Sequence, residues 1–189
     1  MNKINRSLFR AFRSIDDDLE EALQHISIAV DALSKEKYPH LAKNGKVGQR
    51  IKKFIGDNEG FIMRLCMPNV QAISFMYSIR GTNYPLSQVF YKLIRSSLLH
   101  GDGFEKHLVF DSGAALGVSK KGKFIVSYAM VNAFALAILT DPKNSDGEFS
   151  EPVSIYYGVK ENPDIIQLDT YFGKQVELLQ RLGLSTSFL

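Results

Sequence analysis

Arg95 and His100 stand close together near the end of an apolar run, Val89-Phe90-Tyr91-Lys92-Leu93-Ile94-Arg95-Ser96-Ser97-Leu98-Leu99-His100-Gly101. A permanent cation and a group that titrates near neutrality, with the hydroxyls of Ser96 and Ser97 between them, suit work on a phosphodiester. RNA carries a 2′-hydroxyl beside each phosphate, so strand cleavage needs a proton-transfer group and a cation for the pentacoordinate phosphorane. His100 has the chemistry for the first role and Arg95 for the second. On an ideal α-helix the two side chains point about 140° apart. One helix alone does not aim both at the same phosphate.

Other chemistries find little to build on. The chain has no G-x-x-x-x-G-K-[ST] phosphate loop, G-x-S-x-G elbow, H-E-x-x-H zinc pair or G-x-G-x-x-G dinucleotide turn. Gly101-Asp102-Gly103 lacks the strand before and the lysine after that a phosphate cradle uses, and reads as a tight turn. His100, Asp102 and His107 form too small a ligand set for a metal, with no fourth ligand nearby in sequence. No metal and no cofactor are therefore expected. The acidic group from Asp16 to Glu21 reads as a solvated helix start, because neighbouring carboxylates diverge around a helix. Tyr156 and Tyr157 could stack on bases but suit a packed strand better.

Charge is distributed unevenly. The net charge of the 189 residues is +3, yet Lys35, Lys37, Lys43, Lys46, Arg50, Lys52 and Lys53 face one acid, Glu36, within a short stretch. Lys46, Arg50 and Lys53 are the expected RNA-binding residues, since cations along one helix face draw a phosphate backbone without reading its sequence. The stretch reads equally as a solvated helix face. Seven Asp and Glu between Asp141 and Thr170, against Lys143 and Lys160, make the other side acidic.

Hydrophobic residues at 45% and charged residues at 23% describe a packed globular chain of one domain's length. The single cysteine, Cys66, allows no intrachain disulfide, which suits a reducing compartment; a cytoplasmic location and no membrane span are expected. Lys3, Arg6, Arg10 and Arg13 lie at helical spacing opposite Ile4, Leu8, Phe12 and Ile15. That pattern fits a transit or membrane-surface helix, but a first helix with one wet face accounts for it more simply.

The elements that must hold Arg95 and His100 are mostly helical. Ser14-Ile15-Asp16-Asp17 has the form of a capping box, and Leu19, Leu23, Ile26, Val30 and Leu33 make the apolar stripe of a helix ending before Tyr38-Pro39. Val47, Ile51, Phe54 and Ile55 mark a second helix, with Arg50, Lys52 and Lys53 assigned to its other side. Val70, Ile73, Phe75, Met76 and Ile79 predict a third, closed by Gly81-Thr82-Asn83, and Pro85 opens a fourth that runs to His100. Period-two patterning over His107–Asp111 and Phe124–Val126 predicts a small β-hairpin or three-stranded flap at about 105–127. A buried helix, a short strand at Val153–Tyr157 and a closing helix from Asn162-Pro163-Asp164 complete the chain.

The segment from Val89 to Gly101 resembles the HEPN family (higher eukaryotes and prokaryotes nucleotide-binding). Its helical bundles carry an arginine, four to six residues and then a histidine, after apolar residues and before a glycine. The resemblance implies a single domain over residues 1–189, a mainly α HEPN-like bundle with the small β insertion. It also implies a two-fold homodimer that brings paired motifs together. The function it implies is a metal-independent endoribonuclease similar to HEPN toxins and defence effectors. Arg95, Ser96 and His100 would then be catalytic, RNA the substrate, and an antitoxin or regulatory protein a partner. Many members have Asn, Asp or His where Ser96 stands. That departure keeps open a catalytically inactive HEPN-like dimeric module that binds protein, nucleic acid or nucleotide.

Overall fold

The computed structural model describes residues 1–68, 74–97, 106–111, 113, 116–157 and 164–187. Among the described residues the architecture is mainly helical with three small sheets. Helix α1 (Lys3–Ser14) and helix α2 (Leu19–Lys37) pack side by side as an αα-hairpin. The cap of α2 is Asp18, whose carboxylate accepts from the Glu21 amide at 2.9 Å, so the helix starts later than the Ser14 box predicts. It ends at Lys37, where Pro39 opens the short α3 (Pro39–Lys43). Helices α4 (Val47–Asp57) and α5 (Glu59–Cys66) follow, and α4 lies against α2.

The predicted third helix is replaced by a hairpin, β1 (Met76–Ile79) and β2 (Thr82–Pro85), paired antiparallel. Two observations explain the change. Tyr77 and Ile79 are buried while Met76 and Ser78 are exposed, a period of two rather than 3.6. Arg80 at φ 50° and Gly81 at φ 78° place two left-handed residues in succession, the backbone a two-residue hairpin turn requires. Val70 and Ile73 of the predicted helix lie outside the described residues.

Helix α6 (Leu86–Val89) runs directly into a π-helical stretch, Phe90–Arg95. The expected β segment is a three-stranded sheet of β3 (Leu108–Asp111), β4 (Gly117–Val118) and β5 (Phe124–Ser127). Its order is β3-β5-β4, with β3 parallel and β4 antiparallel to the central β5. Helix α7 (Tyr128–Leu139) is the core: nine of its residues are buried, and it packs against α1, α2 and α5. Ser127 caps it by accepting from the Met130 amide at 3.2 Å. Just beyond α7, the Asp141 carboxylate is 1% exposed and accepts from Lys37 Nζ at 2.6 Å, which balances its charge.

The expected closing helix is also corrected. Asp164–Gln167 is a strand, β7, antiparallel to β6 (Ser154–Tyr157), and after a 3₁₀ turn at Leu168–Tyr171 only Gln175–Arg181 is helical, as α8. Ile155 pairs with Ile166 on the buried side and Tyr156 with Ile165 on the outer side, so cross-strand pairing overrides the helical spacing of Ile165, Leu168 and Phe172. No helix among the described residues is long and apolar enough to cross a membrane.

Candidate functional site

Arg95 ends the π-helical stretch, and its surroundings come from three elements. Helix α2 contributes Asp31 and Ser34, α4 contributes Gly48, Arg50 and Lys52, and the stretch itself contributes Tyr91. The Asp31 carboxylate stands between two guanidinium groups. Arg50 Nη2 donates to Asp31 Oδ1 at 2.8 Å, while Arg95 Nη2 lies 3.7 Å from the same oxygen. One negative charge between two positive ones leaves the group with a net cation.

The two arginines are not equivalent. Arg50 is 5% exposed, and its Nη1 also donates to the Asp31 carbonyl and to Ser34 Oγ. Ser34 Oγ in turn donates to the same carbonyl at 3.1 Å. Its acceptors among the described residues all belong to α2, so Arg50 locks α4 onto α2. Arg95 has an 18% exposed side chain and a looser grip on Asp31. Its guanidinium carbon lies 5.7 Å from the Tyr91 ring centroid, and Lys52 Nζ approaches the same ring at 5.9 Å. Tyr91 sits on Gly48, where an added Cβ would come within 2.7 Å of the ring's Cζ. Glycine at this position lets the ring reach α4.

The π winding acts on Ser96 as well. The Ser96 amide and its Oγ both donate to the Tyr91 carbonyl, the latter at 3.0 Å, five residues back rather than four. The Ser96 hydroxyl is thus committed to the backbone. His100 and Asp102 lie outside the described residues.

The expected RNA-binding residues separate. Arg50 is internal, which corrects its assignment to the solvated side of α4; the carboxylate that draws it inward is Asp31, on a different helix. Lys53 lies over the Tyr38 ring and pairs with Asp57, four residues on, at 3.0 Å. Asp57 also accepts from Tyr38 Oη at 2.7 Å, and burial together with this carboxylate raises the Tyr38 pKa. Lys46 is exposed just before α4. Of the three, Lys46 is the one whose charge meets solvent without a partner among the described residues.

Among the described residues no cluster of three or more His, Cys, Asp or Glu side chains could hold a metal. His25 pairs with Glu21 at 3.6 Å on the surface of α2. Sequence reasoning missed Asp31, Tyr91 and Gly48. The available signal for Asp31 was a lone acid between Val30 and Leu33 in the apolar stripe of α2.

No curated protein and no solved structure matches the chain. The model of one family, Rv1289, matches residues 1–186, and the chain therefore belongs to the Rv1289 family.

Proposed function

We propose that this protein is a metal-independent endoribonuclease similar to the HEPN family, with Arg95 as the phosphate-binding cation and His100 as the proton-transfer group. The observation that carries the reading is the state of Arg95. It is a partly exposed guanidinium at the end of a π-helical stretch, braced by Asp31 and Tyr91 without being consumed by them. A π turn inside a helix is uncommon and often accompanies a working residue. Bracing removes the rotamer freedom that a long side chain would otherwise lose on meeting a phosphate.

In the proposed reaction the 2′-oxygen of RNA attacks the neighbouring phosphorus and the bond to the 5′-oxygen breaks. The products are a 2′,3′-cyclic phosphate and a 5′-hydroxyl. One proton leaves the 2′-hydroxyl and one reaches the departing 5′-oxygen, a pair of transfers that the two His100 side chains of a homodimer would serve. Arg95 would hold the phosphorane's added charge.

A second reading is a catalytically silent module of the same kind, binding protein, nucleic acid or nucleotide. The engaged Ser96 hydroxyl favours it, because the polar side chain after the arginine is turned back to Tyr91 rather than presented to a ligand. Incubating purified protein with structured and unstructured RNA in EDTA separates the two. Cleavage to cyclic-phosphate ends, reduced about 100-fold or more by Arg95→Ala and by His100→Ala, is the expected result. Absence of cleavage, or cleavage that both variants retain, would overturn the enzymatic reading.

A further inference from the structure

A row of unengaged cations lies on α1. Lys3, Arg6, Arg10 and Arg13 are all exposed, and among the described residues their side chains make no ion pair or hydrogen bond. At 100° per residue the four fall within an arc of about 80°, and at 1.5 Å per residue they extend along about 15 Å of helix. The opposite face of α1 is spent: Ile4, Leu8, Ala11 and Phe12 are buried against α2 and α7. Carboxylates mark both ends of the row. Glu148 Oε1 stands 3.8 Å from the N-terminal amine, and Asp16, Asp17 and Asp18 follow the last arginine.

We propose that this face of α1 is a docking track for the phosphate backbone of a single-stranded nucleic acid. Charge complementarity identifies the occupant. A linear row of three guanidinium groups and one ammonium matches a line of phosphates, and guanidinium binds phosphate oxygens in pairs. A membrane surface is disfavoured because an interfacial helix needs a spare apolar face to sink among the acyl chains, and the core has taken the one α1 had. The carboxylates at both ends repel a polyanion and so limit the track to the length of the helix. The inference stands on α1 and does not depend on cleavage at Arg95 and His100.

The test measures binding of a fluorescent 2′-O-methyl RNA 20-mer, which lacks the attacking hydroxyl and so reads binding apart from catalysis. The variant is Lys3→Gln/Arg6→Gln/Arg10→Gln/Arg13→Gln, compared with a charge-matched control, Lys35→Gln/Lys120→Gln/Lys121→Gln/Lys174→Gln. Removing four phosphate contacts should flatten the slope of log K against log salt by about 3. Wild type should therefore lose about 50-fold more affinity than the variant between 50 and 200 mM salt. The control should change little, and a DNA strand of the same length should behave like the RNA. Equal slopes in wild type and variant, equal losses in variant and control, or failure to bind DNA would overturn the proposal. So would loss of binding to phosphatidylserine vesicles with RNA binding intact. Unimpaired binding with no cleavage of ordinary RNA would sink the ribonuclease reading alone.

Discussion

Replacing Asp31 by Asn tests how the Arg95 site is held. The substitution keeps the shape and one acceptor oxygen but removes the charge between Arg50 and Arg95. Arg50, 5% exposed, would then be an interior cation surrounded by neutral acceptors. Breaking a fully buried ion pair from one side costs about 3–5 kcal/mol. The Asp31 side chain is 36% exposed, so water already screens the pair, and about 2 kcal/mol is the expected loss. With a urea m-value of about 2 kcal/mol per molar, the unfolding midpoint should fall by about 1 M. Arg50→Met should cost less than Asp31→Asn. It removes the interior charge instead of stranding it, and leaves a carboxylate that solvent and Arg95 can serve. Urea unfolding of the two single variants and the double variant measures all three quantities. If Arg50→Met proves the costlier change, or Asp31→Asn costs under about 0.5 kcal/mol, the assignment of Arg50 as a charge held by Asp31 is wrong.

Gly48→Ala should lower stability by about 1 kcal/mol, as overpacking against Tyr91 exceeds the helix-propensity gain. Combining it with Tyr91→Leu should recover most of the loss in a thermal melt, whereas simple additivity would contradict the packing account. Burial pushes the Cys66 thiol up to about 12. For an acid raised in the folded state, the stabilisation is whole below the ordinary thiol value and lost as pH climbs through the folded one. Stability should decline between about pH 9 and 12, by at most about 1.4 kcal/mol per pH unit from this group. Cys66→Ala should flatten that decline in denaturation measured at several pH values, and an unchanged slope would assign it to other groups. Lys37→Met should destabilise by several kcal/mol, about 3 or more, because the Asp141 carboxylate has no route to water. A midpoint shift under 0.5 M urea would refute this. The two-fold homodimer that the HEPN resemblance implies, together with the divergence of Arg95 and His100 on one helix, is checked by sedimentation at about 50 µM, where a monomer counts against it.

What could be read from residue order was whatever one helix or one strand decides by itself. The stripe of α2, the apolar run of α7 and the alternation before Asp111 declare their elements locally. The hairpin at Met76–Pro85 was hidden because Phe75, Met76 and Ile79 also fit a helical spacing; Tyr77 and the Arg80-Gly81 turn decide for the strand. Ile165 and Ile166 belong to a strand only because Ile155 and Tyr156 stand opposite them. The site shows the same division. Arg95 was visible from its neighbours, but Asp31 lies 64 positions away and acts through a contact between helices. Arg50 misled for a related reason: charge suggests solvent unless a buried partner is known.

The π-helical stretch makes the bearing of Arg95 depend on a count. Five-residue steps fit one more residue into the segment than an ordinary helical ladder would, and that surplus sets the phase of everything after it. Deleting a single residue of the segment, such as the exposed Lys92, whose Nζ lies 5.2 Å from the Tyr84 ring centroid, would let the ladder close in four-residue steps. The shortened helix would be at least as regular, yet Arg95 would be turned by about 100° and drawn back by about 1.5 Å. Asp31 would lose its second cation and Tyr91 its guanidinium neighbour. This segment is therefore a place where tidier backbone geometry and the presentation of one charged side chain are in opposition, with a single residue as the unit of exchange.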